Sequence, residues 1–86
     1  MPEISRFFGI IIAMYYNDHY PEHFHARYGN HQALISIETL SIINGYLPPR
    51  VLGLVTEWAS QHRAELKLNW DLARMKEPLK SIGPLE

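Results

Sequence analysis

The amino-acid sequence predicts an α+β domain: a small antiparallel sheet of about four strands followed by a long C-terminal helical region packed on one face. Three observations predict it. The first half is a series of β-branched and aromatic runs separated by Gly, Asn and Pro turn signals. From Pro48 onward the apolar spacing changes to three and four residues. At 86 residues, with 47% hydrophobic and 20% charged residues, the chain suits one folded domain with a small core.

Residues 4–16 read as the first strand, rich in Ile, Phe and Tyr, with Gly9 as a bulge or close backbone approach. Its apolar residues fall on both faces: Phe8, Ile10, Ile12 and Met14 on one, Phe7, Ile11, Ala13 and Tyr15 on the other. A loop ends at Pro21. A second strand follows over 23–28, Gly29-Asn30 turns the chain, and a third strand covers 32–37. A short fourth strand spans 41–44, before Gly45.

Pro48 and Pro49 suit a helix start. Val51, Val55, Trp58, His62, Leu66, Asn69 and Ala73 then form an apolar stripe, widened by Leu52, Ala59 and Trp70. The helical region runs over about 48–76, as one helix or as two with a bend near Ser60, and ends before Pro78. The tail, 77–86, is extended, with Leu79, Ile82 and Leu85 available to pack it down. A first strand apolar on both faces needs a second cover, either the tail or another chain. That predicts a homodimer or an obligate partner.

Composition excludes several classes. No cysteine is present, which removes disulfides, thiolate zinc sites and cysteine nucleophiles. The net charge of −1 argues against a broad, salt-sensitive nucleic-acid footprint and leaves room only for a local basic patch. The N-terminal residues lack a signal-peptide pattern, and the longest apolar run, ten residues over 7–16, is too short for a membrane helix. The expectation is a soluble cytoplasmic protein. No phosphate-binding glycine loop, G-x-S-x-G nucleophile or basic helix-turn-helix occurs.

The chemistry concentrates in one segment. His19, His23 and His25, three of the five histidines, fall within seven residues. On a strand, His23, His25 and Arg27 share one face, and Phe24, Ala26 and Tyr28 share the other, toward the core. His19, in the preceding loop, can fold back beside the pair. Three neutral imidazoles converging on one point suit Zn²⁺ or another divalent transition metal, with Asp18 or Glu22 as a further ligand or hydrogen-bond acceptor. A second reading gives the histidines, Arg27 and the nearby Tyr15, Tyr16 and Tyr20 to phosphate binding and acid–base work on RNA or a nucleotide. A third leaves the cluster as solvated or interface histidines. Ligand-binding residues beside the metal set are Arg27, Tyr16 and Asp18. His62, within the helical stripe, reads as a core residue hydrogen-bonded to backbone.

Ile4-Ser5-Arg6-Phe7-Phe8-Gly9-Ile10, Met14-Tyr15-Tyr16-Asn17-Asp18-His19, Pro21, His23-Phe24-His25-Ala26, Tyr28-Gly29, Leu47-Pro48-Pro49-Arg50 and Glu57-Trp58 together resemble a family of small bacterial proteins of unknown function. The resemblance covers nearly the whole chain, including Asn69-Trp70 and Pro84-Leu85-Glu86, and its His-x-x-x-His-Phe-His segment corresponds to His19, His23, Phe24 and His25. It implies a gene paired with that of another small domain, in the manner of toxin–antitoxin pairs. A small partner protein and an RNA- or DNA-linked role follow as expectations; no catalytic residue does.

Overall fold

The computed structural model describes residues 2–86. Five strands, β1 (Glu3–Phe7), β2 (Ile10–Ala13), β3 (His23–Tyr28), β4 (His31–Ser36) and β5 (Ile42–Gly45), precede two helices, α1 (Pro49–Gln61) and α2 (Arg63–Arg74). The strands form one antiparallel sheet in sequential order, β1-β2-β3-β4-β5. The α+β class is as the sequence predicts.

The strand expected over 4–16 is instead a hairpin, which makes five strands of the expected four. Phe8 and Gly9 both adopt positive φ, 50° and 78°. Two such residues make the tight turn whose twist matches the flanking strands. Gly9 is therefore the second turn residue and not a bulge within a strand. Phe8 is consequently 62% exposed, not on a core face.

Folding the run back on itself meets most of its burial requirement within one chain. Ile4, Phe7, Ile10, Ile12 and Met14 are buried against Trp58, Phe24 and the helices. Ala13 is buried on the opposite face, where Ile11 and Tyr15 are half-buried. The inference that a second chain must cover this segment thus loses its premise.

The helical region is two helices. His62 has φ −126° and ψ 25°, outside helical geometry, and it accepts the first hydrogen bond of α2 from Leu66 N–H. Its ring packs on Trp58, and Nδ1 is bonded to Glu65 Oε1 rather than to backbone, as the stripe had suggested. α2 ends in a Schellman arrangement: Lys76 takes φ 58°, Lys76 N–H donates to Ala73 O and Glu77 N–H to Leu72 O.

The extended tail then crosses back to the sheet. Asn69, buried in α2, holds it with two 2.9 Å hydrogen bonds to the backbone of Lys80. Ile82 N–H donates to Ile4 O on the edge of β1, and Trp58 Nε1–H donates to Gly83 O. Ile82 and Leu85 are buried and Leu79 partly so. The tail thereby covers the free edge of β1, a standard protection for an edge strand.

Trp58 is fully buried between Phe7, Phe24 and the tail, so Trp58→Ala is expected to cost about 3–5 kcal/mol, as large-to-small core changes do. Exposed Arg63→Ala is expected to cost under about 0.5 kcal/mol. Denaturant midpoints that coincide for the two variants would contradict this packing. Gly45 has φ +89°, and a Cβ there would collide with the backbone of Gln32 and Ala33. Gly45→Ala is expected to lose about 2 kcal/mol or more, since both the conformation and the contact are against it. A thermal midpoint within a degree or two of wild type would refute that expectation.

Candidate metal centre

The alternation of β3 sorts its side chains. Phe24 and Ala26 are fully buried in the core. His23, His25 and Arg27 emerge on the other face of the sheet. His23 is only 5% exposed, because α2 and the loop before β3 close over it. Its ring lies 5.3 Å from those of both Trp70 and His25.

The loop over 17–22 brings one carboxylate onto this pair. Asp18 Oδ2 lies 2.9 Å from His25 Nε2 and 3.3 Å from His23 Nε2. The three donor atoms all fall within 4.8 Å of one another. α2 buttresses the loop from outside: Lys67 pairs with Glu22, Lys76 Nζ donates to Asn17 Oδ1 at 3.1 Å, and the Arg74 guanidinium sits 4.4 Å from the centre of the Tyr20 ring. The Lys67 ammonium is held above the ordinary lysine range, first by its hydrogen bond to Glu22, against desolvation, and then by Asp71. A raised lysine pKa keeps the ammonium charged through neutral pH, and its contribution to the pairing is lost as pH rises through that pKa.

The hydrogen bonding of His23 fixes its tautomer. Nδ1 lies 2.8 Å from Pro21 O, and a carbonyl can only accept, so Nδ1 carries the proton. In the neutral ring Nε2 then presents a lone pair. That atom is buried, has no hydrogen-bond partner, and faces the Asp18 carboxylate. An acceptor faces an acceptor, and an unsatisfied buried polar atom costs about 1–3 kcal/mol. A proton on Nε2, or a cation between it and Asp18, removes the conflict. For a tetrahedral ion with ligands at about 2.0–2.1 Å, neighbouring donors sit roughly 3.3 Å apart, the Asp18–His23 spacing found here. His25 Nε2–H donates to Asp18 Oδ2 at 2.9 Å, so an ion bound there would displace that proton and part the two atoms by a few tenths of an ångström.

His19 is exposed and stands outside the three-atom group, in the wall of a groove of about 320 Å³ that also borders Asp18, His23, Leu34 and Ile43. Asp18, not His19, is the loop residue that meets the histidine pair. Tyr16 is 37% exposed and not in the group. Arg27 is exposed and shares a small depression with His25, Tyr15 and Gln32. His31 is exposed beside Tyr46, and His62 belongs to the helix junction, away from this cluster. Sequence reasoning missed Trp70 as a wall of the site; its place in the helical stripe marked it as core, and only the fold puts that core position against His23.

Among the described residues no helix is long and apolar enough to cross a membrane. Neither a curated protein nor a solved structure matches the chain. One family does, described as a domain of unknown function, DUF4160, over residues 9–71. That span contains the whole Asp18–His23–His25 group and most of both helices, and it stops short of the tail. The chain belongs to this family of domains of unknown function.

Proposed function

We propose that this chain is a small cytoplasmic protein that binds one divalent transition metal ion, Zn²⁺ foremost, through Asp18 Oδ2, His23 Nε2 and His25 Nε2. The buried, unpartnered Nε2 of His23 carries the reading: its other nitrogen is already committed to Pro21 O, as metal-ligating histidines commit theirs. Two imidazoles and a carboxylate are a borderline-hard donor set suited to Zn²⁺ or Fe²⁺ and unsuited to Ca²⁺ or Mg²⁺. Three protein ligands leave a position for water, so hydrolysis of a small substrate is the activity that this centre would add to binding. His19, exposed at the groove wall, is a contact residue for such a substrate rather than a ligand.

The chain is further proposed to work with a protein partner, either a second copy or a small protein encoded beside it as in toxin–antitoxin pairs. The family resemblance supports this, as do the exposed rings of Phe8, Tyr20 and Tyr46. Light scattering on the purified chain reads the homodimer directly, as twice the 10.0 kDa chain mass.

Calorimetric titration of tag-free protein with Zn²⁺ is expected to give one ion per chain at pH 7.5. Protons compete for the same imidazoles, so affinity is expected to fall by about tenfold or more at pH 5.5. His23→Ala and His25→Ala are each expected to lose most binding, and His31→Ala none. His19→Ala separates two ligand sets: unchanged affinity supports Asp18, and a loss equal to that of His23→Ala supports three histidines. Absence of stoichiometric binding at pH 7.5 refutes the proposal.

Lys67→Ala tests the buttress. The lysine end of the pair with Glu22 is exposed to solvent, so the stability change should be small. Metal affinity should nevertheless fall by about threefold to tenfold, because the loop that aims Asp18 is loosened. An unchanged affinity would mean that the loop holds its shape without α2.

A further inference from the structure

His25 belongs to two neighbourhoods. Its Nε2 meets Asp18, while its ring lines a depression on that sheet face together with Arg27, Tyr15 and Gln32. Arg27 lies two residues further along β3 on the same face, about 7 Å away along the strand. Gln32 is its register partner on β4 and Ile11 its partner on β2, with Arg6 next in the same row. Glu3 is bound to Arg6 at 2.8 Å, which holds its carboxyl below the usual range with a smaller contribution from the Arg27 charge. Arg27 forms no ion pair among the described residues. The guanidinium thus closes no ion pair, although the Glu3 carboxylate feels its charge, and the strand holds it on the same face as His25.

The charges select the ligand. A divalent ion less the Asp18 carboxylate leaves one positive charge, and Arg27 adds a second. The complement is a dianion, and its oxygens must reach an ion and a planar two-donor fork at once. A terminal phosphate has both properties near neutral pH, since its second ionisation lies at about 6. A polyanion is disfavoured, because the whole chain carries a net charge of −1. Resting on the metal reading above, we infer that this site binds a terminal phosphate, that of a small monoester or free phosphate. One oxygen lies on the metal, and the others lie on Arg27.

The test uses the full chain loaded with Co²⁺, whose visible spectrum reports its coordination, with calorimetry in parallel. Methyl phosphate and inorganic phosphate are expected to bind saturably, one per ion, and to change the spectrum. Dimethyl phosphate, a monoanion that mimics a nucleic-acid backbone, is expected to bind about tenfold or more weakly. Arg27→Gln should weaken methyl phosphate by about tenfold or more and leave Co²⁺ affinity within about threefold, while Arg63→Gln changes neither. Tight inorganic phosphate with no methyl phosphate binding supports the site and identifies free phosphate as its ligand. Metal binding with no response to either phosphate overturns this inference and leaves the metal site standing. Equal binding of the dimethyl ester, or undiminished phosphate binding by metal-free protein, also overturns it. No Co²⁺ binding at all overturns the metal reading and this inference together.

Discussion

Everything chemical in this molecule depends on the two-residue alternation of β3. Phe24 and Ala26 are committed to the core, where Phe24 meets Trp58 with ring centres 6.0 Å apart. That commitment leaves His23, His25 and Arg27 no choice of face. A one-residue slip would bury two imidazoles and a guanidinium and expose a phenylalanine, so the register is strongly determined. Both neighbours reinforce it: Ile12 and Ala33 flank Ala26 on the core side, while Ala13 and Leu34 flank His25 on the other. The small side chain of Ala13 leaves room beside the imidazole, where the Tyr15 ring meets it edge-on at 4.5 Å.

Strand alternation places the histidines but does not deliver the carboxylate. That task falls to the loop over 17–22, which has little regular backbone pairing of its own; Glu22 O accepts from Ile37 N–H at its far end. Its position is set from outside, by Lys67, Arg74, Lys76 and Trp70 on and just beyond α2. The break at His62 matters here. It turns the chain between α1, which closes the core through Val55 and Trp58, and α2, which reaches the loop. A single straight helix would have one buried stripe and could serve one of those surfaces. The tail then fastens α2 through Asn69 and β1 through Ile4, so the two ends of the sequence stabilise the same wall.

The fold class, the β3–β4 pair, the start of the helical region and the stripe from Val51 to Ala73 were legible because each rests on periodicity or on a residue with a narrow conformational range. The first strand was misread for a physical reason. Phe8-Gly9 lacks the Asn-Gly or Asp-Gly signature of a tight hairpin turn, and Phe seldom adopts positive φ. The apolar pattern on either side is identical whether the chain continues or reverses. Part of the candidate site's geometry is also legible: the shared face of His23 and His25 follows from alternation alone. The choice between Asp18 and His19 did not, because adjacent loop residues point in different directions and only contacts made by α2 decide which faces inward. Such contacts join residues 45 positions apart, as in Lys67 to Glu22, and local spacing carries no trace of them.

Three buried side-chain polar atoms lack a hydrogen bond among the described residues, Ser5 Oγ, Trp70 Nε1 and His23 Nε2, and the last lies 3.3 Å from a carboxylate oxygen. His23 is as buried as many core residues, yet one of its nitrogens is left facing a carboxylate without a hydrogen bond. An apolar ring at this position would pack on Trp70 without that desolvation cost. Small domains of this kind hold net stabilities of about 5–15 kcal/mol, so a penalty of about 1–3 kcal/mol is a large fraction to concede for packing alone. Conflicts between local chemistry and the surrounding fold concentrate where a molecule binds or reacts. The neighbours of His23 resolve the direction of this one. Its Nδ1–H is already satisfied, its Nε2 lone pair and the two oxygens of Asp18 are electron-rich, and His25 Nε2–H donates to one of those oxygens, leaving the His23 lone pair unmet. The deficit at this point of the fold is therefore of positive charge, and a proton on His23 Nε2 or a cation held between the two side chains would make it good.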